Sequence, residues 1–114
     1  MKKNKTYCFD IDGVICKTIG NDYKNSKPIK KAIKKINQLY NRGFKIKIYT
    51  ARFMGRANEN VKKAKILGYK FTHNQLKAWN VKFDKLILGK PSFDIFIDDK
   101  SFNFDKNWFK KDLD

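Results

Sequence analysis

At 114 residues, 41% hydrophobic and 15% aromatic, the chain suits one folded domain, residues 1–114, burying about two-thirds of its unfolded surface. That composition is globular, not disordered, and no apolar run approaches a membrane span; the opening lysines precede only a short strand, not a signal peptide. The net charge of +16 comes from 27 basic against 11 acidic residues, yet only Arg42, Arg52 and Arg56 carry the forked guanidinium favoured for phosphate and base recognition.

The lysines are scattered through every segment, so they read as a solvated basic surface before a nucleic-acid footprint. A positive field of this kind also draws in phosphorylated substrates. Cys8 and Cys16 are too few for a disulfide framework, which points to free thiols in a reducing cytoplasm.

In chain order, Tyr7 to Ile15 opens with an apolar run that reads as a strand buried on both faces, as in a parallel sheet covered by helices. It ends in Asp10 and Asp12, which point the same way in an extended chain, and Gly13 permits a sharp turn. Cys16 to Lys27 is a polar loop or small flap. Pro28 opens a helix with Ile29, Ala32, Ile33, Ile36, Leu39 and Tyr40 at helical spacing, and Gly43 caps it. Phe44–Thr50 alternates as a second strand. A helix is expected from about Arg56 to Leu67, stopped by Gly68, then a short strand over Tyr69–Thr72 and a short helix from His73 to Asn80.

Lys85–Leu88 is the fourth expected strand, followed by Gly89-Lys90-Pro91. Phe93–Asp99 is the fifth, again an apolar run ending in paired carboxylates, Asp98 and Asp99. The tail keeps Phe102, Phe104, Trp108 and Phe109, too apolar to hang free. Alternating strands and helices give an α/β fold: a single three-layer, Rossmann-like domain with a mainly parallel central sheet.

Strand carboxyl ends share one edge of a parallel sheet, where such folds bind ligands. Asp10 and Asp12, Thr50 and Arg52, Lys90, and Asp98 and Asp99 can therefore converge on one crevice. Two crowded carboxylates need a cation or a shared proton, which suggests a Mg²⁺ site with one carboxylate as nucleophile and the other as proton carrier. Taken alone, Asp10-Ile11-Asp12-Gly13 also describes a polar strand end entering a turn.

In order and spacing, Phe9-Asp10-Ile11-Asp12-Gly13-Val14, Ile48-Tyr49-Thr50-Ala51-Arg52, Gly89-Lys90-Pro91 and Ile97-Asp98-Asp99 resemble the four motifs of the haloacid dehalogenase superfamily of aspartyl-phosphate phosphatases. The resemblance implies Asp10 as nucleophile and Asp12 as the acid that protonates the leaving oxygen and then activates water. It implies Thr50, with Ala51 and Arg52, at the phosphate, and Lys90 neutralising nucleophile and phosphate. Mg²⁺ would sit on Asp10, the Asp12 carbonyl and Asp98, with Asp99 behind or through water. Forty residues separate Asp10 from Thr50 and forty more separate Thr50 from Lys90, which leaves no room for a cap domain. An open site follows, unless the tail or a homo-oligomeric partner covers it.

Among capless members the chain resembles small phosphatases of capsule or lipopolysaccharide biosynthesis, which implies a sugar phosphate or amino-alcohol phosphate as substrate. The alternatives are a 3′-end phosphatase of nucleic acid and a non-catalytic phosphate-binding module. Intact Asp10 and Asp12 speak against the last. Arg52 is open between clamping a substrate anion and pairing with a nearby Asp.

Overall fold

Three stretches combine apolar alternation with β-branched residues, and they pair side by side. In the computed structural model, which describes residues 5–113, β1 (Thr6–Phe9), β4 (Lys45–Thr50) and β5 (Lys85–Leu88) form an all-parallel sheet in the order β1-β4-β5. Register sets Phe9 against Ile48 and Thr50 against Leu88, so the three carboxyl ends lie together along one edge. The flap between β1 and the first helix is a small hairpin, β2 (Cys16–Lys17) against β3 (Lys27–Pro28), with a 3₁₀ turn at Tyr23–Asn25. Pro28 therefore belongs to β3, and helix α1 runs Lys30–Asn41.

Tyr7, Phe9, Ile46, Ile48, Leu86 and Leu88 share one core with Ala32, Ile33, Ile36 and Leu39 of α1. Each large aliphatic side chain buried there is worth about 1.5–3 kcal/mol of transfer free energy. On the alternate face Cys8 is exposed and Lys47, Tyr49 and Ile87 are half-buried, so β1 is fully buried on one face only, not on two. The arrangement is a small, single, Rossmann-like α/β domain. Among the described residues no helix is long and apolar enough to cross a membrane.

Helix α2 departs from the sequence expectation. It runs unbroken over Val61–Ala78, so Gly68 does not stop it, Tyr69–Thr72 is not a strand, and no separate helix begins at His73. Its buried residues are Ala64, Gly68, Thr72 and Leu76, one face at steps of four, and that face outweighs the strand propensity of Tyr69-Lys70-Phe71-Thr72. The helix starts at Val61 rather than near Arg56 because Asn60 caps it, accepting from Lys63 N–H at 3.0 Å.

The fifth strand is also absent: 91–107 contains neither helix nor strand, and 91–106 is exposed throughout. The Phe93 and Phe96 rings lie 5.0 Å apart. Residues three apart in an extended chain would be about 10 Å apart on opposite faces. Lys90 Nζ sits over both rings, at 5.4 and 4.9 Å, and this local aromatic–cation cluster replaces sheet pairing. The tail then returns to the core. Trp108 is buried, its ring 5.2 Å from that of Phe9, and its Nε1 donates to the Val14 carbonyl at 3.2 Å.

Candidate active site

Asp10 is the first residue beyond β1. The chain then wraps tightly around the Ile11 carbonyl, which accepts from the N–H groups of Val14, Ile15 and Cys16 at 3.1, 2.8 and 3.3 Å. That turn needs Gly13 at φ 86°, a conformation costly for other residues. The Asp10 side chain is 34% exposed; its Oδ1 accepts from Ile11 N–H at 2.8 Å and its Oδ2 lies 3.5 Å from Lys90 Nζ. Burial lifts the Asp10 carboxyl above its ordinary range, outweighing the Lys90 ammonium and the Ile11 N–H, which pull it down. Lys90 is held in turn: its N–H donates to the Thr50 carbonyl at 3.2 Å, just past the end of β5. Three strand ends thus deliver Asp10, Thr50 and Lys90 to one place.

Asp12 is occupied differently. Arg52 is 1% exposed and turns inward, gripping Asp12 at two points: Nε to Oδ2 and Nη2 to Oδ1, both at 2.9 Å. Thr18 Oγ1 donates to the same Oδ1 at 2.5 Å and lies 2.6 Å from Ser26 Oγ. On its far side Arg52 Nη1 donates to Gln75 Oε1 at 2.6 Å, and Gln75 Nε2 donates to the Tyr23 carbonyl at 2.7 Å. The guanidinium also lies 4.7 Å from the Tyr23 ring centre, a stacking geometry favourable to Arg. A planar fork matched to a carboxylate explains why an arginine, not a lysine, stands here.

These positions bear on two candidate substrate contacts. Of the two roles open to Arg52, the structure shows the pairing with Asp12. Thr50 is fully buried and its hydroxyl accepts from Arg52 N–H at 3.0 Å, so it braces the turn after β4 and offers no surface to a phosphate. Ala51 is half-buried between them.

The expected Mg²⁺ set does not assemble. Among the described residues no three His, Cys, Asp or Glu side chains are grouped to hold an ion. Asp98 and Asp99 are exposed in the segment without strand. Asp98 instead closes its own turn, its Oδ1 accepting from Lys100 N–H at 2.9 Å and its carbonyl from Ser101 Oγ at 2.8 Å. The Arg52 grip takes the Asp12 side chain and leaves its backbone carbonyl out of account; with the carboxylates ungrouped as placed, no chemical step is assigned to a metal.

Thr18, Ser26, Tyr23 and Gln75 were not singled out from sequence. The first three lie in the flap, where polarity alone is the signal; Gln75 falls in the short helix expected from His73 to Asn80, where an uncharged polar side chain carries no functional signal. Cys8 and Cys16 are free thiols; burial pushes the Cys16 thiol above its ordinary range, so it is not an activated nucleophile. His73 stacks on Tyr69 and meets Phe83 edge-on.

No family model and no curated protein matches the chain. Among solved structures, a crystal structure of a protein from Vibrio cholerae superposes with a TM-score of 0.85 at 28% identity, covering 96% of this chain and 90% of that one. The likeness extends the α/β fold over nearly the whole chain and names no activity.

Proposed function

We propose that the crevice hydrolyses phosphomonoesters through an aspartyl-phosphate on Asp10. One observation carries this reading: a part-exposed carboxylate at a parallel-strand end, with a lysine ammonium 3.5 Å away and a second, rigidly held carboxylate two residues on. A nucleophile and a proton carrier are needed for hydrolysis and superfluous for binding alone.

In the first half-reaction an Asp10 oxygen bonds to phosphorus as the ester P–O bond breaks. The departing electron pair stays on the leaving oxygen, which takes a proton from Asp12. In the second, water attacks phosphorus and gives Asp12 its proton. The acyl-phosphate bond breaks, and phosphate leaves with both aspartates restored. Lys90 offsets the charge gathering between nucleophile and phosphoryl oxygens. The exposed surroundings and basic surface suit a small, dianionic sugar or amino-alcohol phosphate, and two free thiols suit a reducing cytoplasm.

The test is phosphate release from a panel of sugar, glycerol, amino-alcohol and nucleotide monophosphates, beside Asp10→Asn. Turnover by the wild type and none by a folded variant is expected. Equal release by both removes Asp10 from the reaction. A 3′-phosphorylated oligonucleotide belongs in the panel, because the net charge of +16 favours that substrate at low salt. Activity confined to it and collapsing as salt rises would reassign the substrate to nucleic-acid ends.

A further inference from the structure

Arg52 is the most deeply buried charge of the site, and its donors serve the protein, not the crevice. The two Asp12 oxygens are treated unequally. Oδ1 accepts from Arg52 Nη2, from Thr18 Oγ1 and, at 3.6 Å, from Cys16 Sγ; Oδ2 accepts from Arg52 Nε only. We propose that Arg52 is a positioning residue that reserves Oδ2 of Asp12 for proton exchange, and that the link Arg52–Gln75–Tyr23 ties the placement of that oxygen to the flap.

The assignment rests on the phosphatase reading and adds to it which oxygen moves the proton and what holds it. A carboxylate on a turn after a strand has a free χ1 and χ2; a two-point grip by a planar fork removes both freedoms, whereas a lysine gives one contact and leaves the group free to swing. Gln75 extends the grip. Its amide accepts from Arg52 with one end and donates to the flap backbone with the other, so the guanidinium is aligned only when Tyr23 is in place. An arginine serving the phosphate would have donors directed at the crevice and would act on substrate affinity. Arg52 has its Nε, Nη1 and Nη2 all placed on side chains of the fold.

Leaving groups separate the two roles. An alkyl phosphate such as glycerol phosphate needs its departing oxygen protonated; p-nitrophenyl phosphate expels a stable phenolate and needs no acid. Arg52→Lys and Gln75→Leu are compared with wild type on both substrates, with folding checked by circular dichroism. For Arg52→Lys, kcat on the alkyl phosphate is expected to fall about 10²-fold, the usual share of a positioned acid. On the aryl phosphate the loss should stay under about tenfold, with KM held on both. Gln75→Leu should shift the same ratio in the same direction by less, and it carries the test if Arg52→Lys does not fold.

A rise in KM of equal size on both substrates would make Arg52 a phosphate clamp and overturn the proposal. So would losses in kcat that ignore the leaving group, or no loss at all. A folded wild type that releases phosphate from neither ester refutes the phosphatase reading itself, and this assignment falls with it.

Discussion

Adding one methyl group to Gly68 tests how the helix and the flap are locked together. Gly68 lies mid-way along α2, where alanine in place of glycine ordinarily stabilises by about 1 kcal/mol. Here a Cβ would meet the Phe53 ring, with Cδ2 at 2.0 Å, Cε2 at 2.4 Å and Cγ at 2.6 Å. Phe53 cannot easily step aside. It is 8% exposed, its ring packs against those of Tyr23 at 5.1 Å and Phe71 at 6.2 Å, and its backbone sits at φ 69°, an uncommon conformation for a bulky residue.

Overpacking of this kind costs about 1–3 kcal/mol, and an overlap this deep belongs at the upper end. Clash minus propensity leaves Gly68→Ala destabilised by about 1–2 kcal/mol, a fall in Tm of roughly 5 °C for a domain of this size. The decisive control is the Phe53→Ala background. Removing the ring costs about 3–5 kcal/mol by itself. With the obstacle gone, Gly68→Ala should then raise stability by about 1 kcal/mol. Thermal unfolding of the four proteins reads the sign directly. A substitution that stabilises in both backgrounds, or destabilises in both, refutes the claim that Gly68 is a seat for the Phe53 ring. Because Tyr23 packs on Phe53 and its carbonyl anchors Gln75, a loss of alkyl-phosphate turnover should accompany the clash.

Two further outcomes follow from the charges. The Asp10 carboxyl holds its proton more tightly folded than unfolded, so its contribution is fully present below the ordinary Asp value of about 3.9 and is lost as pH rises through the raised folded value. Asp10→Asn removes that loss: relative to wild type its Tm should gain between pH 3 and pH 8, and a Tm difference that does not move with pH would contradict it. The acid limb of kcat/KM should likewise lie above the ordinary carboxylate range. As for metal, no three acidic side chains are grouped among the described residues, so millimolar Mg²⁺ should leave chymotryptic cleavage at Phe93, Phe96, Phe102 and Phe104 unchanged. Protection by Mg²⁺ that Asp98→Asn cancels would show that the four carboxylates do assemble and would refute this expectation.

Local pattern was enough for the three sheet strands, for α1, and for placing Asp10, Asp12 and Lys90 at one edge. Each rests on periodicity or on a residue's own chemistry: alternation in Lys45–Thr50, helical spacing from Ala32 to Leu39, a glycine at the turn after Asp12. Composition points to a packed tail without deciding between the sheet and another subunit; only the fold sets Trp108 against Phe9 and leaves Phe102 and Phe104 exposed. Elsewhere the deciding partner is remote in sequence. Gly68 reads as a stop until the Phe53 ring is seen against it. Phe93–Asp99 reads as a strand until Lys90 gathers two of its rings into a local cluster, and Asp98 stays exposed, closing a turn of its own. Arg52 is ambiguous in sequence because Asp12 lies forty positions away and Gln75 twenty-three the other way. Only the folded chain shows that its fork is spent on them: a guanidinium stripped of water must have its donors met by the protein, and tertiary packing alone determines which acceptors are close enough to do so.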